Sequence, residues 1–547
     1  MTTKKAFVNA NIITMNPAAP MADALGMAGD TISLVGSRAE VEQWANADTE
    51  VVDVQGKTII PGLIESHNHI SIGAAWAKNA NCSSVTCRNI EHVLNAVAEA
   101  AANKAPGEWV QGFGYDDTGI EEMRHLTRHD LDAVTSEHPV FINHVSGHLA
   151  YLNSAALAQC GITGATPDPA GGTIHKDERG EPSGLLLENA AFAARVHLPE
   201  PSREELKQLL VQKIADFNAL GLTSTHDAAL GLMGDASDVL SVCRELEREK
   251  ALNIRIYTAV LDAAYNKYDA LGVAKGYGSH YFKIGGVKFF QDGSIQGFTG
   301  ALLDAYHTKP ENWGQLIYPQ EVLNEKIAYH HRNGDHIVIH GNGDAAIESI
   351  LQAFEAAQAA HPREDHRHML IHCQMAHQNH IERMQRLGII PSYFINHIYY
   401  WGDRHAAIFV GPERAARMNP LGSSLRHGLL FSVHSDYPIT PVDPMFTMHT
   451  AVNRLTRSGQ VLGPEERISP LQALKTFTTA AAMCSFEEDV KGSLEAGKLA
   501  DLVVLSDDIL SVPHEQIKDI KVLRTVVGGK TVYQRVSSNQ ISLINKQ

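Results

Sequence analysis

Leu63-Ile-Glu-Ser-His-Asn-His69 begins as a β-like run and ends in two histidines one residue apart. Successive strand residues face opposite sides of a sheet, so His67 and His69 share one face at the end of this run. Seven more runs rich in Ile, Val, Leu and Phe follow: Leu222 to Asp227, Ile254 to Val260, Val287 to Asp292, His336 to His340, His368 to His372, Ile389 to Phe394 and Leu430 to Asp436. Helical patterns separate them. In Arg203 to Leu220 one stripe carries Leu206, Leu209, Leu210, Ile214 and Phe217, and Ala345 to Gln358 has similar spacing. Strands alternating with helices predict a parallel sheet, and eight is the number that closes a (β/α)8 TIM-like barrel.

The ends of these runs carry the chemistry. His340 closes the fifth run, His372 the sixth and Asp436 the eighth, while Lys288 lies in the fourth, flanked by Val287, Phe289 and Phe290. Taken singly, each has a bland explanation: a partly buried structural histidine, a lysine snorkelling to the edge, an aspartate capping a helix. Taken together, four histidines, one lysine and one aspartate fall at corresponding ends of strands one, four, five, six and eight. Barrel enzymes assemble their active sites at that face. Nitrogen and oxygen donors without thiolate suit zinc, and also manganese, iron, cobalt or nickel. Burial favours the neutral amine of Lys288, which can serve as a base, as an imine-forming nucleophile, or as the acceptor of carbon dioxide in a carbamate that bridges two metals. A metal lowers the pKa of bound water from about 15.7 towards 7. Asp436 would then take the remaining proton and deliver it to the leaving group.

Outward from the barrel, the first 60 residues read as short strands, Ala6 to Met15, Thr31 to Gly36 and Val51 to Val54, and similar texture returns in Val522 to Tyr533. Residues 1–60 and 486–547 are therefore expected to build one composite β-sandwich, with the barrel occupying 61–485. The stretch 70–201 is too long for a simple connection and contains strand-like pieces at Trp109 to Tyr115 and Pro139 to Val145. We expect an insertion that lids the barrel mouth.

Composition narrows the partners. Lys plus Arg minus Asp plus Glu is 46 − 62 = −16, which repels a phosphate backbone and argues against nucleic acid. No apolar run approaches the roughly 20 residues of a membrane span, and the N-terminus lacks the apolar stretch of a secretion signal, so a cytoplasmic location is expected. The six scattered cysteines include no C-x-x-C pair, which favours buried thiols in a reducing compartment. Cys373 should face away from the mouth beside His372. The run Gly492-Ser-Leu-Glu-Ala-Gly-Lys imitates a phosphate loop, but Leu499 replaces the required Ser or Thr and a β-like segment follows, so it reads as a turn. An acidic barrel of this size readily forms a homodimer.

Pro61-Gly-Leu-Ile-Glu-Ser-His-Asn-His and Gly492-Ser-Leu-Glu-Ala-Gly-Lys-Leu-Ala-Asp-Leu-Val resemble the opening and closing motifs of the amidohydrolase superfamily. Val287-Lys-Phe-Phe-Gln-Asp-Gly-Ser, His340-Gly-Asn-Gly-Asp, Ser435-Asp-Tyr-Pro and Gly147-His-Leu-Ala-Tyr-Leu-Asn-Ser-Ala-Ala-Leu are similar to the branch that includes N-substituted formamide deformylases. The resemblance implies His67 and His69 on one metal, His340 and His372 on a second, a carboxylated Lys288 between two zinc ions, and Asp436 as general acid and base. It implies a small-molecule substrate, most plausibly an N-formyl or N-acyl amide. His148 and Asn153 become candidates to shape the pocket or hold the insertion. Ile371 stands where an acidic residue is expected before the sixth-strand histidine, which leaves the support of His372 open. Trp76, Tyr115, Asp116, His148, Asp292 and His397 are candidates to line the pocket. Two competing functions are a mononuclear deaminase of the same superfamily and a catalytically idle binding relative.

Overall fold

In the computed structural model the eight runs become eight strands of one parallel sheet, arranged in chain order. They are β1 Leu63–Asn68, β2 Leu222–Leu230, β3 Arg255–Leu261, β4 Phe282–Phe290, β5 His336–Gly341, β6 Met369–His372, β7 Ile390–Tyr393 and β8 Ser432–Val433. The structure describes residues 3–536 apart from 85, 103, 233–236, 271, 273 and 274. Residues 1–2 and 537–547 of the expected terminal segments lie outside the described residues.

The sheet is a TIM-like barrel. Among the described residues no backbone ladder joins β8 to β1; side chains close that seam instead. Ser66 Oγ donates to the Val433 carbonyl at 3.0 Å, and the Glu65 carboxyl accepts from the Ser435 amide and hydroxyl, each at 3.1 Å. Complete burial pushes the Glu65 carboxyl up to about 8. The strands are buried on both faces, by helices outside and by side chains within. Gly285 is required on β4: a Cβ there would lie 1.8 Å from Cζ of Tyr257, whose ring crosses it.

Several boundaries differ from the sequence reading for identifiable reasons. β4 starts at Phe282 and ends at Phe290, after which Gln291 and Asp292 turn out of the strand. The eighth run pairs only over Ser432–Val433, because the chain leaves extended conformation and reaches φ 53° at Asp436. The expected strand from Ala6 to Met15 breaks at Asn9, φ 55°, into Lys4–Val8 and Asn11–Ile13, which join different sheets. Val522 to Tyr533 is a hairpin of Val522–Val527 and Lys530–Gln534, turned at Gly528 and Gly529. Leu502–Leu505 pairs antiparallel with Thr58–Pro61, so strands from both ends of the chain share one six-stranded sheet.

The helix Arg203–Ala219 starts at a Ser202 cap, whose Oγ accepts from the Glu205 amide, and buries Leu206, Leu210, Ile214 and Phe217. Between β1 and that helix, Val110–Tyr115 and Val140–His144 pair in parallel within a separate six-stranded sheet. Asp116 ties this sheet to the barrel, accepting from Arg404 Nη1 at 2.8 Å and Trp401 Nε1 at 3.2 Å. Five cysteines are buried and Cys160 is half-buried, all as free thiols. Among the described residues no helix is long and apolar enough to cross a membrane.

Candidate metal centre

β1 delivers His67 on the strand itself and His69 at the start of the helix Ile70–Ala75. That helix lies close against the residue after Asp436: a Cβ on Gly73 would stand 2.1 Å from Tyr437 Cε1, so only glycine permits the approach. The His69 amide also donates to the Tyr437 carbonyl at 2.7 Å. These contacts hold Asp436 over the end of β1, with its Oδ1 3.5 Å from His67 Nε2 and 3.3 Å from His69 Nε2. His69 Nδ1 donates to the Ala228 carbonyl at 2.9 Å, which turns Nε2 towards Asp436. Lys288 Nζ comes from β4 to 3.4 Å from His67 Nε2.

His372 and Asp436 both have left-handed backbone, φ 70° and 53°. Such positions cost about 1–3 kcal/mol each for a residue other than glycine and cluster at functional sites. One ligand atom from each of His67, His372 and Asp436 lies within 4.8 Å of the others, and all three residues are buried.

The electrostatics suit a cation. Burial, with Lys288 and neighbouring histidines beside them, keeps His67 and His372 well below the ordinary histidine range, hence neutral with a lone pair to give. Burial pushes the Lys288 amine down to about 7, against the pull of Asp436. Burial also works to raise the Asp436 carboxyl, but His69 beside it holds it below the usual carboxylate range. Asp436 Oδ1 is buried without an aligned hydrogen bond. A buried carboxylate oxygen beside the neutral imidazoles of His67 and His372 is a donor set that suits a divalent metal. His67, His372 and Asp436 fit as direct ligands, with His69 and Lys288 at the margin.

His340 stands apart from that trio. Its ring centroid is 4.5 Å from that of His372, yet its Nε2 lies 3.0 Å from the Gly293 carbonyl, 3.0 Å from Asn342 Nδ2 and 3.4 Å from Asp292 Oδ1.

A cavity opens over the centre, lined by His69, Lys288, His340, His372 and Asp436 together with Trp76, His148 and His397. His148 donates from Nδ1 to Glu188 Oε2 at 2.8 Å. Burial opposes charge on His148, but that carboxylate outweighs it and raises the imidazole above its ordinary range. His397 sits against Phe394 and Trp401 and bonds His405 through Nδ1 at 3.0 Å.

Three candidates for the pocket lining belong elsewhere. Tyr115 is fully buried in the core of the inserted sheet, its hydroxyl donating to the Arg124 carbonyl at 2.7 Å. Asp116 is occupied by Arg404 and Trp401. Asp292 staples the loop after β5, accepting from the Asn342, Gly343 and Ala301 amides at 2.9, 2.9 and 3.0 Å. Asn153 is structural too: its Oδ1 caps the helix Ser154–Gln159 and its amide donates to the Thr135 and His138 carbonyls. Cys373 is buried beside Met384, away from the cavity lining, and burial raises its thiol pKa, which disfavours the nucleophilic thiolate. Ile371 packs among Val338, Met369 and Ile390, as a strand residue adjacent to a ligand should.

Sequence reasoning passed over His434, whose Nε2 lies 3.1 Å from His372 Nδ1. The signal was present, since His434 stands two residues before Asp436 just as His67 stands two before His69. It also passed over Glu188 and Arg195 of the insertion, which no strand-end rule singles out.

The Amidohydrolase family profile matches residues 50–533, and the chain belongs to that family. It is a metal-dependent hydrolase acting on carbon–nitrogen bonds. It is 31% identical to the N-substituted formamide deformylase of Arthrobacter pascens over 97% of this chain and 98% of that protein. It is 30% identical to the protein LONG AFTER FAR-RED 3 of Arabidopsis thaliana, over 96% and 91% respectively. Among solved structures, an uncharacterized metal-dependent hydrolase from Pyrococcus furiosus superposes with a TM-score of 0.73 at 25% identity, covering 93% of this chain and all of that one.

Proposed function

We propose that this enzyme hydrolyses the C–N bond of a small N-formyl or N-acyl amide, with Asp436 as general acid and base. The observation that carries the reading is Asp436 Oδ1, buried without a hydrogen bond between the Nε2 atoms of His67 and His69 at the floor of the cavity. The similarity to an N-substituted formamide deformylase supports the amide class. When bound by His67, His372 and Asp436, a divalent metal, zinc before manganese, iron, cobalt or nickel, supplies Lewis acidity that makes water a usable nucleophile near neutral pH.

The remaining steps belong to the chain. Asp436 takes the proton that the attacking water loses and returns it to the departing amine nitrogen, so that the amine leaves neutral and the carboxylate is regenerated. His148 and Trp76 line the cavity. Lys288 is disposed to carboxylation: its neutral amine forms an N–C bond to carbon dioxide and releases one proton, which replaces the amine with a pair of anionic oxygens. That carbamate is the basis for two metals per chain. A count of one is the second reading, favoured by the engagement of His340 Nε2 with Gly293 and Asn342, away from the His67, His372 and Asp436 trio.

The test is a panel of N-formyl and N-acyl amides incubated with metal-supplemented enzyme, with free amine as the readout. We expect amine release that chelation abolishes and metal restores. A panel that releases no amine at full metal occupancy overturns the reading.

A further inference from the structure

Arg195 ends the helix Asn189–Arg195 at the neck between two cavities. One is the cavity over the metal centre. The other runs outward past Leu198, Pro199 and Val239, and Ile72, Trp76 and Arg195 line both. Arg195 is only 8% exposed. Its Nε donates to Asn143 Oδ1 at 2.9 Å and its Nη2 to the Gly147 carbonyl at 2.7 Å. Among the described residues Nη1 has no hydrogen-bond partner and no carboxylate pairs with the guanidinium.

The other two buried arginines show how this fold ordinarily satisfies such a charge. Arg255 is paired bidentately with Asp501 at 2.6 and 2.9 Å. Arg454 gives Nε, Nη1 and Nη2 to the carbonyls of Leu462, Asn419 and Met418. Arg195 has neither arrangement, although a buried cation without a counter-charge is costly. Burial lowers its pKa to about 10, so it is still cationic at neutral pH. Glu188, the acidic neighbour that acts on it through space, gives its Oε2 to His148 at 2.8 Å and makes no hydrogen bond to the guanidinium among the described residues. The guanidinium lies 5.1 Å from the Phe192 ring, Phe192 lies 6.1 Å from the ring of His148, and His148 lies 5.5 Å from that of His340. The charge thus lines the wall of the cavity over the metal centre, with Phe192 and His148 between it and His340, where it faces a part of the substrate away from the scissile bond.

We propose that Arg195 is a specificity-determining residue that receives a carboxylate on the substrate, so that the preferred amide is anionic. The planar guanidinium, fixed at Asn143 and Gly147, presents its remaining edge to a planar carboxylate, which completes a pairing the fold leaves open. The proposal rests on the amide-hydrolase reading of the same site.

The test pairs N-formylphenylalanine with N-formylphenethylamine, which differ by the carboxylate, and measures both binding to and turnover by the metal-loaded enzyme. We expect the acid to bind about 10-fold tighter or more, as a charge-assisted contact provides. That ratio should fall towards one in Arg195→Gln and recover in part in Arg195→Lys, which keeps the charge and most of the packing. A wild-type ratio of one, or a ratio that survives in Arg195→Gln, overturns the proposal. If Arg195→Gln does not fold, an Arg195→Lys ratio equal to wild type while ionic strength leaves both unchanged overturns it equally. Turnover of both compounds without preference rejects the role of Arg195 and leaves the amide-hydrolase reading intact. An Arg195-dependent preference in binding without turnover of either does the reverse.

Discussion

His372 Nδ1 lies 3.1 Å from His434 Nε2, and the direction of that bond follows from the groups beneath it. Ser66 Oγ donates to the Val433 carbonyl, which can only accept, so Ser392 Oγ, 3.1 Å away, must donate to Ser66. Ser392 then accepts from His434 Nδ1 at 2.8 Å, and His434 keeps a bare Nε2 that accepts from His372 Nδ1–H. Burial lowers the His434 pKa to about 3, consistent with the neutral imidazole this requires. His372 is left with a bare Nε2 for a metal. The chain Ser66, Ser392, His434 thereby does for His372 what an acidic residue at position 371 does not.

His434→Ala should therefore weaken metal retention by about 10- to 100-fold, the usual effect of removing a group that orients a metal ligand. Chelator competition on the purified variant measures it. Metal affinity equal to wild type would show that His372 is oriented by something else.

Lys288→Ala should lower the number of metals held per chain and abolish most turnover. Bicarbonate with a short carboxylic acid should restore part of both, by placing a carboxylate where the carbamate stood. Elemental analysis showing unchanged occupancy in this variant rejects the bridging role.

The barrel was legible because most of its strands are apolar runs, and the strand-end rule then picked out His67, His372 and Asp436, whose ligand atoms the structure brings within 4.8 Å of one another, while His340, named by the same rule, engages Gly293 and Asn342 instead. The same rule failed where a polar residue beyond a strand finds a local partner. Asp292 follows β4 by two residues and turns back onto the Asn342 and Gly343 amides, while Tyr115 ends an inserted strand with its hydroxyl on the Arg124 carbonyl and Asp116 is taken up by Arg404 and Trp401. A polar residue at a strand end signals a partner but not which one. Glu188, with φ 50°, and Arg195 owe their positions to the tertiary path of the insertion, which periodicity does not encode.

Arg255 on β3 meets Asp501 of the C-terminal segment, and Asp501 also accepts the Gly528 amide at 2.8 Å. This buried pair fastens the terminal strands to the barrel. Asp501→Ala strands the guanidinium, and we expect a loss of about 3–5 kcal/mol, read as a lowered denaturation midpoint. A loss below about 1 kcal/mol would place the fastening elsewhere.

His330 lies between Asp335 Oδ2 at 2.8 Å and Asp262 Oδ1 at 3.2 Å, with Lys326, Tyr265 and Tyr329 around it. Burial opposes its charge, but the two carboxylates prevail and raise its pKa above 6.5. A raised folded-state pKa contributes stability that is complete below the unfolded value and disappears as pH climbs through the folded one. The thermal stability gap between wild type and His330→Asn should thus be wider at pH 6 than at pH 9. An equal gap at both pH values contradicts a charged His330.

The central claim is that Asp436 moves the proton in a metal-dependent amide hydrolysis. The direct measurement is turnover of a hydrolysed N-formyl amide by wild type and Asp436→Asn, with metal per chain determined on the same samples. The account predicts retained metal and a fall in turnover of about 100-fold or more, the usual scale of a lost general acid and base. Near-normal turnover by Asp436→Asn at full metal occupancy would contradict it.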